Sequence, residues 1–517
     1  MPLLSYAEIH YRPRYMPSLI FRKQPEIISD IPRRIDPGRP VPVFILVKDA
    51  DRFPIVLESI VVHIAYSGGI ERIAQFPYGN QKIESELWWD SINIVPEHTG
   101  HALIDVYVQC MLRGKKRIIR TDNYPGTSHA PFPVEIADAF LPGGEGWHHG
   151  DIHCHSYYTA DQVEFGAPLE MTAFAAYCMG LNWIAATDHS YDLDNRWDSA
   201  SEQDPLLQKW WLMRSDSEEF SHNMVIVPGE EVTCRTSEGR NCHMLSLNAD
   251  SFISGSGDSG EQGFGVPSQH SVGEAVSACT GSGGLACAAH PFERIPVSER
   301  LILKRGPWTQ KDLETPGICG MQFYNGARDK GFRAGKEEWI QLLLAGKKIH
   351  AFGGSDSHGD LNRSRRIGMP LVSVTESPEH TLGMVRTVVH AEHQNRESIL
   401  QGLSGGHAVV TDGPFIDLAV RDGANRCIPG DTCRSGNLTV EAACRSSKEF
   451  SPIRIFRLMG GLAAEKRELV LANMQGGNEY DMDDRFPIET GNILYIRAEC
   501  ETVRGHICFT NPVWISR

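Results

Sequence analysis

Hydrophobic and polar positions follow three patterns along the chain, and the first covers roughly residues 1–140. Its apolar residues are mostly β-branched and form short runs such as VPVFILVKD and IVLESIVVHIAY, with Gly, Pro and Asp turns between them. Such runs are typical of the strands of a β-sandwich. The Pro- and Gly-rich segment FLPGGEG follows and ends this region. We therefore expect an N-terminal β-sandwich domain over residues 1–146.

In the second pattern, strand-like segments alternate with helix-like segments. Residues 168–179 predict a helix, because Pro168 suits the first turn and Gly180 suits the C-terminal stop. The seven strand-like segments are GDIHCHS, NWIAATDHS, MVIVPGEEVT, CHMLSLNA, GLACAAHP, GICGMQFYNG and KIHAFGGSDSH. Alternation of this kind is typical of parallel strands joined by crossover helices. About seven of them predict a β/α barrel over residues 147–404.

After about residue 405 the helical period disappears. Short β-like runs such as FIDLAV, LTVEAAC and NILYIRAEC are separated by turn residues, which predicts a smaller C-terminal β-sandwich over residues 405–517. The expected fold class is therefore multidomain α/β plus β, with a β/α barrel between two β-sandwiches.

Charge and cysteine content narrow the range of partners. The chain has 50 Lys and Arg residues against 65 Asp and Glu residues, a formal net charge of −15, which opposes sequence-independent binding to nucleic acid or anionic membranes. We find no apolar run long enough for a membrane span and no secretory signal pattern. The 13 cysteines include no CxxC pair and favour reduced thiols. We expect a cytoplasmic protein with a small-molecule substrate, and a homo-oligomer is compatible with the sequence.

Residues able to bind metal fall at the C-terminal ends of the predicted barrel strands, where parallel α/β barrels place their sites. His153 and His155 are two positions apart, so both imidazoles point to one face of a strand. Asp161 lies in the loop that follows. The later candidates are His189, Glu231, His243, His290, Asp356 and His358. A single buried histidine is more often structural, but this many strand ends with the same chemistry predict a Zn, Mn or Fe site.

Some neighbouring residues leave alternatives open. Glu231 is preferred over Glu230 as the ligand, and Asp188 is expected to be a partner that orients a histidine. The basic residues Arg363, Arg365 and Arg366 follow the last strand closely. They form either a solvated loop or a clamp for phosphate or carboxylate, and we take Arg365 and Arg366 as the substrate-binding candidates. Two further arginines, at positions 294 and 328, also follow predicted strands and are weaker candidates.

Residues 150–190, which include GDIHCHSYYTADQVEFG and AATDHS, resemble the first motifs of the PHP (polymerase and histidinol phosphatase) metallohydrolases. VPGEEVT, the strand with His243, AAHP and GGSDSHG resemble the remaining motifs in the same order. The flanking regions resemble those of the larger family members, which include carbaryl-type (CehA/McbA type) carbamate hydrolases and have a β domain on either side of the barrel. In those proteins the second β domain starts with a T-x-GP element and ends with a TNP element. In this chain the corresponding residues are 411–414 and 510–512. The resemblance implies a distorted seven-stranded β/α barrel with two or three metal ions.

The resemblance also implies a role for each candidate ligand. A first metal ion would be held by His153, His155, Glu231 and Asp356. Glu231 would bridge to a second ion, completed by His243 and His290, and a third would be held by Asp161, His189 and His358. Many family members have histidine at the position of Asp161, so the third site is expected to be weaker or to prefer another metal. The residues expected to be catalytic are Glu231, Asp356 and His290.

These expectations point to a metal-dependent hydrolase. A hydroxide that bridges two metal ions is a nucleophile at neutral pH, because metal binding lowers the pKa of water. Phosphoester hydrolysis is the preferred activity, and carbamate or carboxylic ester hydrolysis is the alternative. A non-catalytic or nucleic-acid proofreading module is disfavoured by the negative charge and by the complete set of ligands.

Overall fold

The structure is a computed structural model, and it describes most of the chain. The described residues are 3–5, 24–123, 127–159, 166–197, 199–221, 224–257, 266–364, 366–369, 372–375, 378–423 and 425–516. Within these ranges, no helix combines the length and the apolar character needed to cross a membrane.

Two sheets form the N-terminal region. Its strands are β1 (Leu3–Ser5), β2 (Glu26–Asp30), β3 (Arg34–Ile35), β4 (Val41–Lys48), β5 (Ile55–Tyr66), β6 (Glu71–Ile83), β7 (Leu87–Ile94), β8 (Gly100–Leu112), β9 (Lys115–Arg120) and β10 (Phe132–Ile136). One sheet has the order β2-β4-β7, and the other has the order β3-β10-β8-β5-β6, with β9 beside β8. β1 lies in neither of them and pairs instead with residues 372–374. Residues from both sheets, among them Val43, Ile45, Ile60 and Val62, share one core. The alternating apolar positions of β5 therefore lie against a facing sheet, as expected for a half-buried strand.

The middle region contains every helix of at least four residues that the structure describes. Its first half has β11 (Trp147–His155), α1 (Leu169–Met179), β12 (Trp183–Ala186), α2 (Ser190–Leu193), β13 (Asn195–Arg196), β14 (Ser199–Gln203), α3 (Gln208–Glu219), β15 (Val225–Arg235) and β16 (Asn241–Leu247). Its second half has α4 (Val272–Gly281), β17 (Leu285–Ala289), α5 (Val297–Ile302), α6 (Gln310–Leu313), β18 (Ile318–Asn325), α7 (Lys330–Leu344), β19 (His350–Gly354), β20 (Ser357–His358), β21 (Arg366–Met369), β22 (Val372–Thr375), β23 (Arg386–His390) and α8 (Arg396–Gly405). Each of the seven predicted strand segments contains a strand.

The predicted fold class is wrong, because the molecule is mostly β and the seven strands do not form a closed β/α barrel. They lie in the order β19-β18-β17-β16-β15-β12-β11 within one curled 16-stranded sheet. β15 and β16 are antiparallel, and so are β16 and β17. The turn between Arg235 and Asn241 is too short for the crossover that parallel strands need.

The ends of this row of strands explain why it stays open. β11 pairs with β23 along one edge, and only its last two residues pair with the short strand β20. At the other end, among the described strands, β19 is hydrogen-bonded only to β18. The backbone N–H of Ala351 in β19 donates instead to the side-chain oxygen of Asn511, at 2.7 Å. A side chain from the C-terminal region thus takes the place of a neighbouring strand.

The C-terminal region continues the same sheet. Its strands are β24 (Ala408–Thr411), β25 (Phe415–Asp422), β26 (Asn425–Cys427), β27 (Thr432–Arg434), β28 (Asn437–Arg445), β29 (Ile453–Leu462), β30 (Arg467–Gln475), β31 (Asp481–Glu489), β32 (Ile493–Thr502), β33 (Ile507–Thr510) and β34 (Val513–Ser516). From β11 the long sheet runs on through β23-β24-β33-β32-β29-β30. A second sheet, β26-β25-β28-β31, covers it and shares a core that includes Phe415, Val440 and Phe456.

Candidate metal centre

Strands β11 and β15, together with the residues just after β17 and β19, bring four of the predicted ligands together. His153, Glu231, His290 and Asp356 each offer a ligand atom within 4.8 Å of the others, and all four are buried. The Nε2 atom of His153 lies 3.2 Å from an oxygen of Asp356 and 3.5 Å from an oxygen of Glu231. Because these residues come from four separate strands, only the curvature of the sheet places them in one group.

A second group lies directly beside the first. His155, His189 and His358 offer buried ligand atoms within 4.8 Å of one another. The ring of His155 stacks on that of His358 at 4.2 Å between centroids, and it lies 4.4 Å from the ring of His189. The Nε2 atoms of His153 and His155 are 3.1 Å apart, so the two groups form one site.

Glu231 connects the two groups through both of its carboxylate oxygens. Oε1 lies 2.7 Å from Nδ1 of His243 and 2.9 Å from Nε2 of His290. Oε2 lies 3.0 Å from Nδ1 of His189 and 3.3 Å from Nε2 of His155. His243 therefore belongs to the same site. Eight of the nine predicted ligands converge here, and the ninth, Asp161, lies outside the described residues. We call these eight side chains the ligand cluster.

The ligand cluster has the chemistry and the spacing of a cation site. Donor atoms around one tetrahedral ion with bonds of about 2.0–2.2 Å lie roughly 3.3–3.6 Å apart. The contacts of His153 and His155 with Asp356, at 3.2 Å each, and those with Glu231 are close to that spacing. Packing imidazole nitrogens this closely is unfavourable unless a proton or a metal ion lies between them. The buried His, Glu and Asp groups could therefore hold a metal ion.

Electrostatics of the ligand cluster favour ionised carboxylates. Burial by itself raises the pKa of Glu231, but the nearby imidazoles, His243 foremost, hold that pKa well below its usual range. Asp356 behaves in the same way, with His153 as the foremost imidazole. Burial lowers the pKa of His155, but its hydrogen bonds to Asp356 and Glu231 outweigh burial and raise the pKa to about 9. In the metal-free protein, protonated imidazoles thus supply the positive charge that balances the two carboxylates.

Two of the ligands sit on strained backbone. His290 has a φ of 25° and Asp356 has a φ of 55°, in the left-handed region that costs a side-chain-bearing residue about 1–3 kcal/mol. His290 directly follows β17, and Asp356 lies two residues after the end of β19. The strain is maintained by surrounding hydrogen bonds, among them the 2.8 Å bond from the Asp356 N–H to the His153 carbonyl. Strain of this kind collects at functional sites.

Three side chains that were not among the sequence-based candidates orient the candidate ligands. The side-chain oxygen of Gln322, on β18, accepts from Nδ1 of His153 at 3.0 Å, which directs the Nε2 lone pair of His153 into the site. Asn325 donates to Oδ2 of Asp356 at 3.1 Å. An oxygen of Glu293 lies 3.1 Å from Nδ1 of His290. A signal for the first two existed, since Gln322 and Asn325 both lie near the end of a predicted strand.

Asp188 and Glu230, which neighbour His189 and Glu231 in the chain, form hydrogen bonds that hold the surrounding backbone and side chains. Asp188 accepts hydrogen bonds from the backbone and hydroxyl groups of Ser156 and Thr159, so it holds the segment after β11 and orients no imidazole through these bonds. Glu230 faces away from the ligand cluster. It accepts from Nε1 of Trp210 at 3.0 Å and from the backbone of Ile253 at 3.2 Å, and burial raises its pKa to about 8.

A buried arginine that the sequence analysis did not single out lies against the ligand cluster. Nη2 of Arg305 is 3.1 Å from Nδ1 of His243, the same atom that faces Glu231, and Nη1 is 3.4 Å from a carboxylate oxygen of Glu299. Arg305 is only 4% exposed and lines a small pocket together with His243, His290 and Trp308. No sequence signal marks it, because it lies 15 residues beyond the nearest predicted ligand in the chain.

The predicted anion clamp remains a prediction. Arg365 lies outside the described residues, and Arg366 is described only as the first residue of β21. Arg363 is buried, pairs with Asp360 and lies 3.4 Å from Asp122, so it is neither solvated nor part of the ligand cluster. Its charge is taken up by these acidic partners.

Comparisons with known proteins do not identify a family. No protein-family model matches the sequence, and no curated protein matches it. A glycosyl hydrolase family 2 member from Bacteroides cellulosilyticus is 8% identical over 94% of this chain and 62% of its own, with a TM-score of 0.18. A β-D-mannosidase from Dictyoglomus thermophilum is 6% identical over 94% of this chain and 66% of its own, with a TM-score of 0.21. A structural-genomics target is 8% identical over 24% of this chain and 92% of its own, with a TM-score of 0.16. Similarities this low establish neither a shared fold nor a shared activity.

Proposed function

We propose that this protein is a metal-dependent hydrolase that cleaves phosphoesters with two or three divalent ions, Zn, Mn or Fe, in the ligand cluster. The observation that carries the proposal is the carboxylate of Glu231, whose two oxygens contact His290 of the first group and His189 of the second. A carboxylate in this position suits a pair of neighbouring ions. The order of the ligands along the chain, which resembles that of the PHP motifs, also supports hydrolysis.

The residues of the cluster prepare the site for this chemistry. Divalent ions supply an activated water molecule and neutralise charge that develops on the attacked group. Gln322 and Glu293 keep the Nε2 atoms of His153 and His290 directed inward, and the carboxylate of Glu231 stays ionised. The surrounding strands bury these groups and exclude bulk water, which strengthens each electrostatic contact.

Arg305 favours a phosphoester over a neutral ester. Its guanidinium is buried and lies 3.1 Å from His243, so a charged donor stands directly beside the ligand cluster. A phosphate group on the ligand cluster would supply further negative charge within reach of the guanidinium, which matches phosphate in geometry. A neutral aryl carbamate would gain little from the same contact.

Metal analysis followed by a hydrolase panel tests the proposal. The purified protein should contain divalent metal and should cleave p-nitrophenyl phosphate or its diester faster than a neutral aryl ester or carbamate. Arg305→Met should lower kcat/KM for the phosphoester by about 10–100-fold, the value of one charged hydrogen bond. Arg305→Lys should retain part of it, and Arg300→Met, at an exposed arginine on α5, serves as the matched control.

The same panel includes the sequence-based candidates. If Arg365→Ala combined with Arg366→Ala removes phosphoesterase activity while Arg305→Met does not, the clamp lies in the loop predicted from sequence. A wild-type protein that cleaves neutral esters or carbamates and ignores every phosphoester would overturn the proposed activity. Carbamate or carboxylic ester hydrolysis would then replace it.

A further inference from the structure

An open groove of about 320 Å³ lies at the start of α7, and its lining is strongly cationic. It is formed by Arg294, Arg328, Asp329, Lys330 and Arg333, all of which are exposed. We call it the cationic groove. Four cations face one carboxylate here, on a protein whose formal net charge is −15. A local field of the opposite sign to that of the whole molecule attracts anions to one place.

The four cations have no acidic partner in the part of the chain that the structure describes. The carboxylate of Asp329 is the nearest candidate, but it is engaged in capping α7, where it accepts from the backbone N–H of Phe332 at 3.0 Å. By contrast, other surface arginines of this protein form ion pairs, such as Arg421 with Glu441 at 2.7 Å. The charge of the cationic groove is therefore left for a ligand.

The two segments that carry the arginines of this groove begin at the ligand cluster. Arg294 follows Glu293, whose carboxylate lies 3.1 Å from Nδ1 of His290. Arg328 lies three residues after Asn325, which donates to Asp356. Both segments therefore leave the site on the side of His290 and Asp356.

Close packing holds the two segments together. A Cβ atom on Gly331, in the first turn of α7, would lie 2.8 Å from the carbonyl oxygen of Phe292 and 3.1 Å from Cα of Glu293. The start of α7 thus presses against the segment between His290 and Arg294. On its other side, Arg328 reaches the turn at Gly505, where a Cβ atom would lie 3.4 Å from its Nη2. The C-terminal region therefore borders the cationic groove.

We propose that the cationic groove binds a second phosphate group of the substrate, while the first lies on the ligand cluster. The preferred substrate is then a small molecule with two phosphate groups separated by a spacer. This inference rests on the proposed function and adds the substrate class to it. Contacts between guanidinium and phosphate are charge-assisted and often bidentate, so losing several of them lowers affinity at least tenfold.

Binding of non-hydrolysable phosphonates tests the inference without any need for turnover. The metal-loaded protein is titrated by calorimetry with propylphosphonate and with alkane bisphosphonates of increasing chain length. At the best chain length, the bisphosphonate should bind at least tenfold more tightly than the monophosphonate. The triple variant Arg294→Gln/Arg328→Gln/Arg333→Gln should lose this advantage and bind the monophosphonate as the wild type does. Arg333→Gln alone, on the exposed face of α7, should lose part of it.

The matched control is Arg434→Gln, which removes one exposed cation from β27 in the C-terminal region, a cation with no ion pair among the described residues. It should keep the full preference for the bisphosphonate. Equal binding of mono- and bisphosphonates by the wild type, or an unchanged preference in the triple variant, would overturn the inference. Binding of a short single-stranded oligonucleotide that depends on the same arginines, without any bisphosphonate preference, would also overturn it and assign the groove to nucleic acid.

Hydrolysis of p-nitrophenyl phosphate by the same proteins separates this inference from the proposed function. The triple variant should cleave this substrate as fast as the wild type, because it carries one phosphate group only. A wild type that prefers bisphosphonates but cleaves no phosphoester contradicts the proposed function and supports the groove. A wild type that cleaves the monoester without any bisphosphonate preference contradicts only the groove.

Discussion

Replacing Glu231 with glutamine is the sharpest perturbation of the candidate metal centre. The amide keeps the size of the carboxylate but exchanges one oxygen for an NH2 group, which donates hydrogen bonds and cannot ligate a cation. Each oxygen of Glu231 lies within 3.3 Å of two imidazole nitrogens, so either orientation of the amide breaks contacts to one of the two groups. Replacing a residue that only orients a ligand lowers metal affinity by about 10–100-fold. Loss of a shared ligand should cost at least 100-fold, about 2.8 kcal/mol.

Metal content after dialysis against a weak chelator measures this loss directly. Glu231→Gln should retain less metal than the wild type and lose hydrolase activity, while its circular dichroism spectrum stays native. Glu230→Gln is the matched control in the same strand, because Glu230 faces Trp210 and Ile253 instead. Full metal content in Glu231→Gln would refute the bridging role. Loss of metal only in Glu230→Gln would show that the wrong carboxylate has been placed in the site.

Three further predictions follow from the contacts of the site and its support. Gln322→Leu removes the acceptor for Nδ1 of His153 and should weaken metal binding about 10–100-fold. Gln322→Glu keeps an acceptor and should preserve metal binding. Equal metal affinities of the two variants would contradict the orienting role of Gln322. In the metal-free protein, the pKa values of His155 and His290, about 9 and 10, exceed the ordinary histidine value of about 6.5. The folded state binds more protons than the unfolded state, so thermal stability should fall between about pH 6.5 and 10 with chelator present, and a flat profile would contradict this sign. Arg497→Met leaves two glutamates beside it without their buried cation and should lower the free energy of unfolding by about 3–5 kcal/mol in urea titrations.

The convergence of the candidate ligands could be predicted from the sequence because their signal is local. His153 and His155 are two residues apart in a segment whose strand character is clear, and alternation alone sends both to one face. Glu231 lies within β15 and Asp356 lies two residues after β19, and both strands were correctly expected. The prediction needed only that these strand ends meet, and a curled open sheet achieves this as well as a closed barrel does.

The way the strands are joined could not be predicted from the alternation of helices and strands. The segment TSEGR, between β15 and β16, permits only a hairpin, and the antiparallel pair it creates interrupts the expected parallel order. Gln322 and Arg305 escaped notice for a different reason. A neutral amide and an isolated arginine gain their roles only from partners 169 and 62 residues away in the chain, and no spacing rule reveals such contacts.

The C-terminal region supports the site through the open edge of the sheet. Asn511 bonds to both backbone groups of Ala351 on β19, at 2.7 and 3.3 Å. Asp412 accepts from the hydroxyl group of Tyr324 on β18, at 2.7 Å. These two strands carry or lead directly to Gln322, Asn325 and the strained Asp356. The Asn511 bonds satisfy backbone groups on the side of β19 that faces no described strand, close to a candidate ligand on strained backbone. The T-x-GP and TNP elements therefore belong to the architecture that holds the ligand cluster in place, although neither contributes a ligand.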